Sequence, residues 1–172
     1  MDIASKPTRK GDKGVVKEGR LADWYAKNTG NALAGFENDA RRVAARLRSG
    51  ARVLEIAPGP GYLAIALAKL GDFDIVGLDI SRSFVRIASQ NAAKAGVAVQ
   101  FTHGDASEMA FPSDSFDFIV CRAAFKNFGD PLGALHEMHR VLRPGGEALI
   151  IDMNKDASNA AIDQEEIGRA HV

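Results

Sequence analysis

Residues 53–69, VLEIAPGPGYLAIALAK, decide the fold. Val53, Leu54 and Ile56 read as the end of a buried strand, Ala57 to Gly61 as a glycine turn, and Tyr62 onward as a helix. Such a unit opens a doubly wound α/β sheet, and its turn ordinarily receives a phosphate on backbone N–H groups. The spacing of Gly59, Gly61 and Ala64 fits G-x-G-x-x-G/A, with Asp79 following at the distance of a ribose-binding acid. Yet Pro58 and Pro60 flank Gly59, and proline has no N–H to give. Glu55 adds a carboxylate at the strand end, and no basic residue stands near to offset it. The turn therefore disfavours a pyrophosphate and favours a ligand with a ribose, a positive charge and no phosphate.

Outward from this stretch, short apolar runs alternate with helical patterns, as parallel βαβ units do. Strands are predicted at 52–56, 74–78, 97–101, 116–121 and 147–151, and helices at 62–70, 82–95 and 131–142. Asp130 is the expected N-cap of the last helix with Pro131 in its first turn, and Leu132, Leu135, Met138 and Leu142 form its predicted buried stripe. The pair Gly145 and Gly146 in LRPGG reads as a helix stop and a turn into the fifth strand. Residues 51–166 are thus one α/β unit. Upstream, 21–50 carry two helical patterns, the first with Leu21, Trp24 and Tyr25, the second with Phe36, Ala40, Val43, Ala44 and Leu47 on one face before Gly50. Residues 1–20 are polar and glycine-containing, and are read as a mobile arm.

The chain has 172 residues, 46% of them apolar and 26% charged, which suits a single domain with a real core. Its formal net charge of zero gives no general pull toward nucleic acid or an anionic membrane. The basic residues of the first segment are diluted by Asp2, Asp12 and Glu18 without interleaved aromatics, so a nucleic-acid arm is not expected. Cys121 is the single cysteine, no apolar run is long enough to span a bilayer, and no secretory h-region opens the chain. A cytoplasmic protein without membrane insertion is expected; the sequence leaves its oligomeric state open.

Four stretches, VLEIAPGPGYLAIALAK, IVGLDIS, HGDASEMAFPSDSFDFIVCRAAF and HEMHRVLRPGGEALIID, resemble in order the motifs of class I S-adenosylmethionine-dependent methyltransferases. The likeness is to the small-molecule branch that includes ubiquinone and menaquinone biosynthesis C-methyltransferases. It implies a Rossmann-like, mostly parallel sheet and S-adenosylmethionine as cofactor. Gly59 and Gly61 would let the backbone approach the methionine and ribose, and Ala57 stands where the family often has glycine. Glu55 would meet the cationic amino group and Asp79 the two ribose hydroxyls. Asp105, with the Ala106 backbone, would accept from the adenine amino group, and Ile80 and Met109 would pack on the ring. Cys121, at the end of the fourth strand, completes the cofactor-side set, with packing as its role. Beside each acid stands a plainer reading: Asp79 as a helix cap, Glu55 as a partner of Arg52 or another base, and Asp105 as a loop cap.

Methyl transfer from a sulfonium is an in-line displacement in which the protein mainly aligns the reactants and excludes water. No catalytic base is assigned. Relatives carry a histidine after the fourth strand where this chain has Lys126, a residue read as solvated or as pairing with a substrate carboxylate. Arg122, Phe125, Lys126, Asn127 and Phe128 form the expected acceptor loop, and Trp24 and Tyr25 a lid over it. His136 and His139 are three apart, which is not the H-E-x-x-H zinc spacing, so no metal is expected; His103 reads as an exposed strand-end residue. Methyl transfer to a small molecule leads. An NAD-dependent oxidoreductase and a non-catalytic nucleotide-binding domain stay open as alternatives. The family pattern implies further strands beyond the fifth, so the domain is expected to be incomplete. Residues 167–172 match the translation of a common sequencing adapter and are expected to be a non-native tail.

Overall fold

The computed structural model describes residues 18–29, 33–152 and 169–170 of the 172-residue chain. At its centre is β1 (Arg52–Ile56), whose Val53, Leu54, Glu55 and Ile56 are all buried. A strand buried on both faces needs such a near-continuous apolar run. It pairs in parallel with β2 (Asp74–Asp79) on one side and with β4 (Phe116–Arg122) on the other. β3 (Gln100–His103) lies outside β2, and β5 (Leu142–Ile151) outside β4, both parallel. The two-residue β6 (Arg169–Ala170) adds antiparallel to β5, giving the order β3-β2-β1-β4-β5-β6. The winding reverses between β1 and β4, which puts the ligand crevice at the carboxyl ends of these strands. The expected doubly wound sheet is what the chain forms.

Side chains alternate across the sheet and build two apolar layers. Val53, Ile75, Phe118, Val120 and Leu149 face α2 (Leu33–Ala44) and α3 (Tyr62–Ala68), meeting Phe36, Ala40, Val43, Leu63 and Leu67. Leu54, Ile56, Val76, Leu78, Ile119 and Cys121 face the opposite way, toward Met138 and Val141 of α5 (Pro131–Val141). Phe118 is 2% exposed, and truncating it to alanine would cost about 3–5 kcal/mol. α4 (Arg82–Ala95) follows β2, and α1 (Arg20–Thr29) lies on α4, burying Ala22 and Ala26 against Phe84 and Ile87.

Four local expectations need correction. The third strand starts at Gln100 rather than at 97, because Gly96 closes α4 in the left-handed conformation and Val97 N–H donates back to the Ala92 carbonyl. The fifth strand starts earlier than 147: α5 stops at Val141, Leu142 already pairs with Phe116, and PGG is absorbed as an irregularity in register. Gly146 is required there, since a Cβ would lie 2.9 Å from the carbonyl oxygens of Arg143 and Asp117. Helix α3 ends at Ala68 rather than at 70. On α5 the buried stripe is Ala134, Met138 and Val141, while Leu132 and Leu135 are exposed. The rotation is fixed by polar contacts: Arg140 donates to the carbonyls of Met109 and Phe111, and Glu137 accepts from Met109 N–H at 2.8 Å.

Among the described residues no helix is long and apolar enough to cross a membrane. The residues before 18 lie outside the described part, as do 167, 168, 171 and 172 of the expected tail; of that tail only 169–170 are described, as β6.

Candidate functional site

The turn after β1 is held in a form that few residues adopt. Ala57, Gly59 and Gly61 have φ of 55°, 55° and 80°. A methyl-bearing residue at left-handed φ, as Ala57 is, is strained by about 1–2 kcal/mol. A Cβ on Gly61 would lie 2.8 Å from the Phe101 ring and 2.9 Å from Ala88 Cβ, so glycine is demanded by packing. A Cβ on Gly59 would meet nothing within 4 Å: this glycine faces open space at the crevice.

The hydrogen-bond inventory of the turn follows from its prolines. Pro58 and Pro60 have no N–H, Gly59 N–H donates to Asp79 Oδ2 at 2.9 Å, and Gly61 N–H donates to the Pro58 carbonyl at 3.0 Å. Asn91 braces the turn from α4 by donating to the Pro60 carbonyl at 3.0 Å. Every N–H from Pro58 to Gly61 is absent or already engaged, so the turn offers no cradle for a pyrophosphate.

Asp79 ends β2 and is 5% exposed. It ties two strand ends together, accepting from Gly59 N–H through Oδ2 and from Ser81 N–H through Oδ1 at 2.8 Å. It is not the N-cap of α4; Ser81 takes that role, accepting from Phe84 N–H at 3.1 Å. Each carboxylate oxygen keeps a second lone pair for a hydroxyl. Burial pushes its carboxyl up to about 6 against the Ser81 and Gly59 N–H groups, with nearby Glu18 adding to the rise and His103 opposing it.

Glu55 is 3% exposed and accepts from Ala64 N–H at 2.9 Å, capping α3 from the strand beneath. Its partner is not Arg52, whose side chain turns to the amino end of the sheet and lies 3.0 Å from Asp74. Burial pushes the Glu55 carboxyl up to about 8; the Ala64 N–H opposes the rise, the Asp79 carboxylate adds to it, and the Arg122 guanidinium counters it. Near pH 7 burial therefore favours the neutral form of Glu55, and an arriving cation favours its ionised form.

At the end of β3, Asp105 caps its own loop through Oδ1, accepting from the Ser107 N–H and hydroxyl, each at 2.8 Å. Ala106 is partly buried, Ile80 is 42% exposed beside Asp79, and Met109 is buried in the core layer under α5. Exposed Ile80 remains available to a flat ring, whereas Met109 is committed to packing. His103, His136 and His139 are exposed, and no group of metal-binding side chains forms among the described residues.

On the other side of the switch point, Arg122 is engaged by α2. Its Nε donates to Asp39 at 2.6 Å and its guanidinium lies 4.1 Å from the centre of the Phe36 ring. Ala123 follows with φ 55°. Phe125, Lys126 and Asn127 form a 3₁₀ turn in which Lys126 Nζ pairs with Asp152 at 2.7 Å and Lys126 N–H donates to the same carboxylate at 3.0 Å. The Lys126 side chain is thus ion-paired. Cys121 is fully buried and its thiol is pushed far up by burial, so it packs and does not react. Trp24 is 62% exposed on α1, whose buried face rests on α4; the Tyr25 side chain lies outside the described residues. The helix that reaches the carboxyl end of β4 is α2, through Asp39 and Phe36.

Sequence reasoning missed Asp39, Asn91 and Glu18. Asp39 carried a signal, being an acid between Phe36 and Val43 on a buried helical face. Glu18 carried none, because its partners on α4 are 64 residues away or more.

Known proteins place this crevice in context. A demethylmenaquinone methyltransferase of Deinococcus radiodurans is 36% identical over 128 residues, covering 72% of this chain and 53% of that protein. A ubiquinone/menaquinone biosynthesis C-methyltransferase UbiE of Coxiella burnetii is 36% identical over 114 residues, 64% of this chain and 46% of that protein. The chain thus spans about half the length of the curated relatives it matches. A crystal structure from Methanococcus maripaludis, assigned as an S-adenosyl-L-methionine-dependent methyltransferase, superposes with a TM-score of 0.72 at 29% identity, over 85% of this chain and 66% of that one. The glycine turn, Asp79, Asp105 and Arg122 all fall within residues 54–150, which match the family described as "Methyltransferase domain". That match takes in more than half of the 172 residues, and the chain belongs to this methyltransferase family.

Proposed function

We propose that this chain transfers a methyl group from S-adenosylmethionine to a small-molecule acceptor. The observation that carries the reading is the donor inventory of the turn: two prolines and two engaged glycine N–H groups, beside two buried carboxyl groups. A dinucleotide needs N–H donors for its pyrophosphate and finds none there. A cationic nucleoside without phosphate needs a close backbone, acceptors for its ribose and acids for its positive charge. Open space at Gly59, the lone pairs of Asp79 and the neutral, ionisable Glu55 meet those needs.

When bound, the cofactor supplies an activated methyl carbon on sulfur. The residues of the chain bind and orient. Asp79 would hold the ribose hydroxyls, Glu55, its proton passed to solvent, would accept from the cationic amino group, Asp105 and the Ala106 backbone would take the adenine edge, and Ile80 would cover the ring. Arg122, held by Asp39, braces the strand end on the methyl side. Lys126 is locked to Asp152, so rate enhancement comes from alignment and exclusion of water, and the acceptor brings a nucleophile that needs little help from a protein base. The relatives named for quinone-pathway C-methylation agree with such an acceptor.

Calorimetric titration with S-adenosylhomocysteine tests the reading. Asp79→Ala is expected to lose about 2–4 kcal/mol of binding free energy, because charge-assisted bonds vanish and the hydroxyls are left unpaired. Equal affinity in the variant would remove Asp79 from the site.

A further inference from the structure

The start of α4 is the other place in this crevice where an anion would ordinarily settle. Its first N–H groups are all taken by side chains of the chain itself. Ser81 N–H goes to Asp79 and Phe84 N–H to Ser81 Oγ. The two between them go to Glu18: Arg82 N–H donates to Oε1 at 2.9 Å and Ser83 N–H to Oε2 at 3.1 Å. The Ser83 hydroxyl also donates to Oε2, and Gly19 N–H donates to that hydroxyl at 2.9 Å. Burial opposes the Glu18 charge, but these bonds outweigh it and hold its carboxyl below the usual glutamate value. Glu18 is thus an anion seated on two backbone N–H groups and a hydroxyl at the positive end of a 14-residue helix that starts three residues beyond Asp79.

That arrangement has a chemical meaning. Two N–H groups and a serine hydroxyl in the first turn of a helix that follows a ribose-binding acid and begins with Arg82 are the donors a phosphate on the ribose would use. We propose that Glu18 is a specificity-determining residue of the cofactor crevice, whose carboxylate occupies this anion position and so excludes ribose ligands bearing a phosphomonoester while leaving Asp79 to an unphosphorylated ribose. The inference rests on the cofactor reading above and adds the basis of its selectivity. Glu18 is delivered by a strap with its own attachment: Ala22 and Ala26 pack on Phe84 and Ile87, and the Tyr62 hydroxyl donates to the Ala26 carbonyl at 2.9 Å. Replacing Glu18 therefore leaves the strap docked while it removes the charge and one or both of the acceptors of Arg82 and Ser83.

The experiment compares adenosine, adenosine 2′-monophosphate and S-adenosylhomocysteine as calorimetric titrants of the full chain, Glu18→Gln and Glu18→Ala. The unaltered chain is expected to bind adenosine at least about tenfold more tightly than its 2′-phosphate, and Glu18→Ala to narrow that gap by about tenfold, the size of a helix-terminus anion effect. Glu18→Gln, which keeps one acceptor oxygen without the charge, is expected to narrow it in part. An identical gap in all three proteins, with S-adenosylhomocysteine still bound, overturns the role of Glu18 and leaves the cofactor reading standing. Failure of the unaltered chain to bind either adenosine or S-adenosylhomocysteine overturns the cofactor reading, and the selectivity inference with it.

Discussion

The buried Glu55 makes a prediction whose sign is opposite to that of most carboxylates. An unfolded glutamate titrates at its ordinary 4.5, whereas burial pushes Glu55 up to about 8 in the fold. Between those values unfolding releases a proton, so the unfolded state binds fewer protons and stability falls as pH rises. The contribution is complete below the unfolded value and is lost as pH climbs through the folded one. Each unit of displacement is worth about 1.4 kcal/mol, so the loss by about pH 7 is on the order of 3 kcal/mol. Asp79 shares the sign, but its window lies between 3.8 and about 6, so the interval above about pH 6 reports mainly on Glu55. Glu55→Gln keeps an oxygen for the Ala64 N–H and cannot ionise. Urea unfolding of both proteins at about pH 5 and about pH 8 is the assay. Near pH 5 the two should agree within about 1 kcal/mol, and near pH 8 the variant should be more stable by several kcal/mol. Parallel profiles between about pH 6 and about pH 8 would refute the assignment of a neutral Glu55.

Further expectations follow from the backbone of the turn. Ala57→Gly relieves the strain of φ 55° but adds glycine's chain entropy, for a net gain of about 0.5–1 kcal/mol in chemical unfolding; a loss of that size would contradict the strain. Gly61→Ala should cost about 3 kcal/mol or more, since the methyl meets Phe101 and Ala88 below 3.0 Å. Gly59→Ala should cost only about 1 kcal/mol in stability yet weaken S-adenosylhomocysteine by at least about tenfold, because its methyl enters the crevice. If both glycine variants lose stability equally and binding equally, the distinction between a packing glycine and a ligand-facing glycine fails.

What the sequence disclosed and what it hid divide along a physical line. β1, the glycine turn and α3 are encoded locally, by an apolar run, two prolines and a helix pattern within 17 residues, and they form as read save for the last two residues of the helix. The start of β3 was misplaced because Gly96 and Val97 are consumed in stopping α4, a matter of hydrogen bonding that hydrophobicity does not report. The face of α5 was misread because the pattern allowed two stripes, and the choice was made by Arg140 and Glu137 gripping the loop around Met109 and Phe111. Glu55 and Asp79 were legible as acids at strand ends, but their N–H partners were not. The bond from Gly59 to Asp79 and that from Ala64 to Glu55 exist only once strands and helices are stacked. Arg122 was legible as a basic residue at a strand end, but its bond to α2, through an aspartate 83 residues earlier in the chain, was not.

The central claim is that this crevice takes a phosphate-free adenosyl cofactor, and parallel calorimetric titration of the full chain with S-adenosylhomocysteine and with NAD tests it most directly. With Pro58 and Pro60 lacking N–H groups and Gly59 and Gly61 already donating, the account predicts saturable, one-to-one binding of S-adenosylhomocysteine and no measurable heat from NAD. Binding of NAD as tight as that of S-adenosylhomocysteine, or of NAD alone, would contradict it.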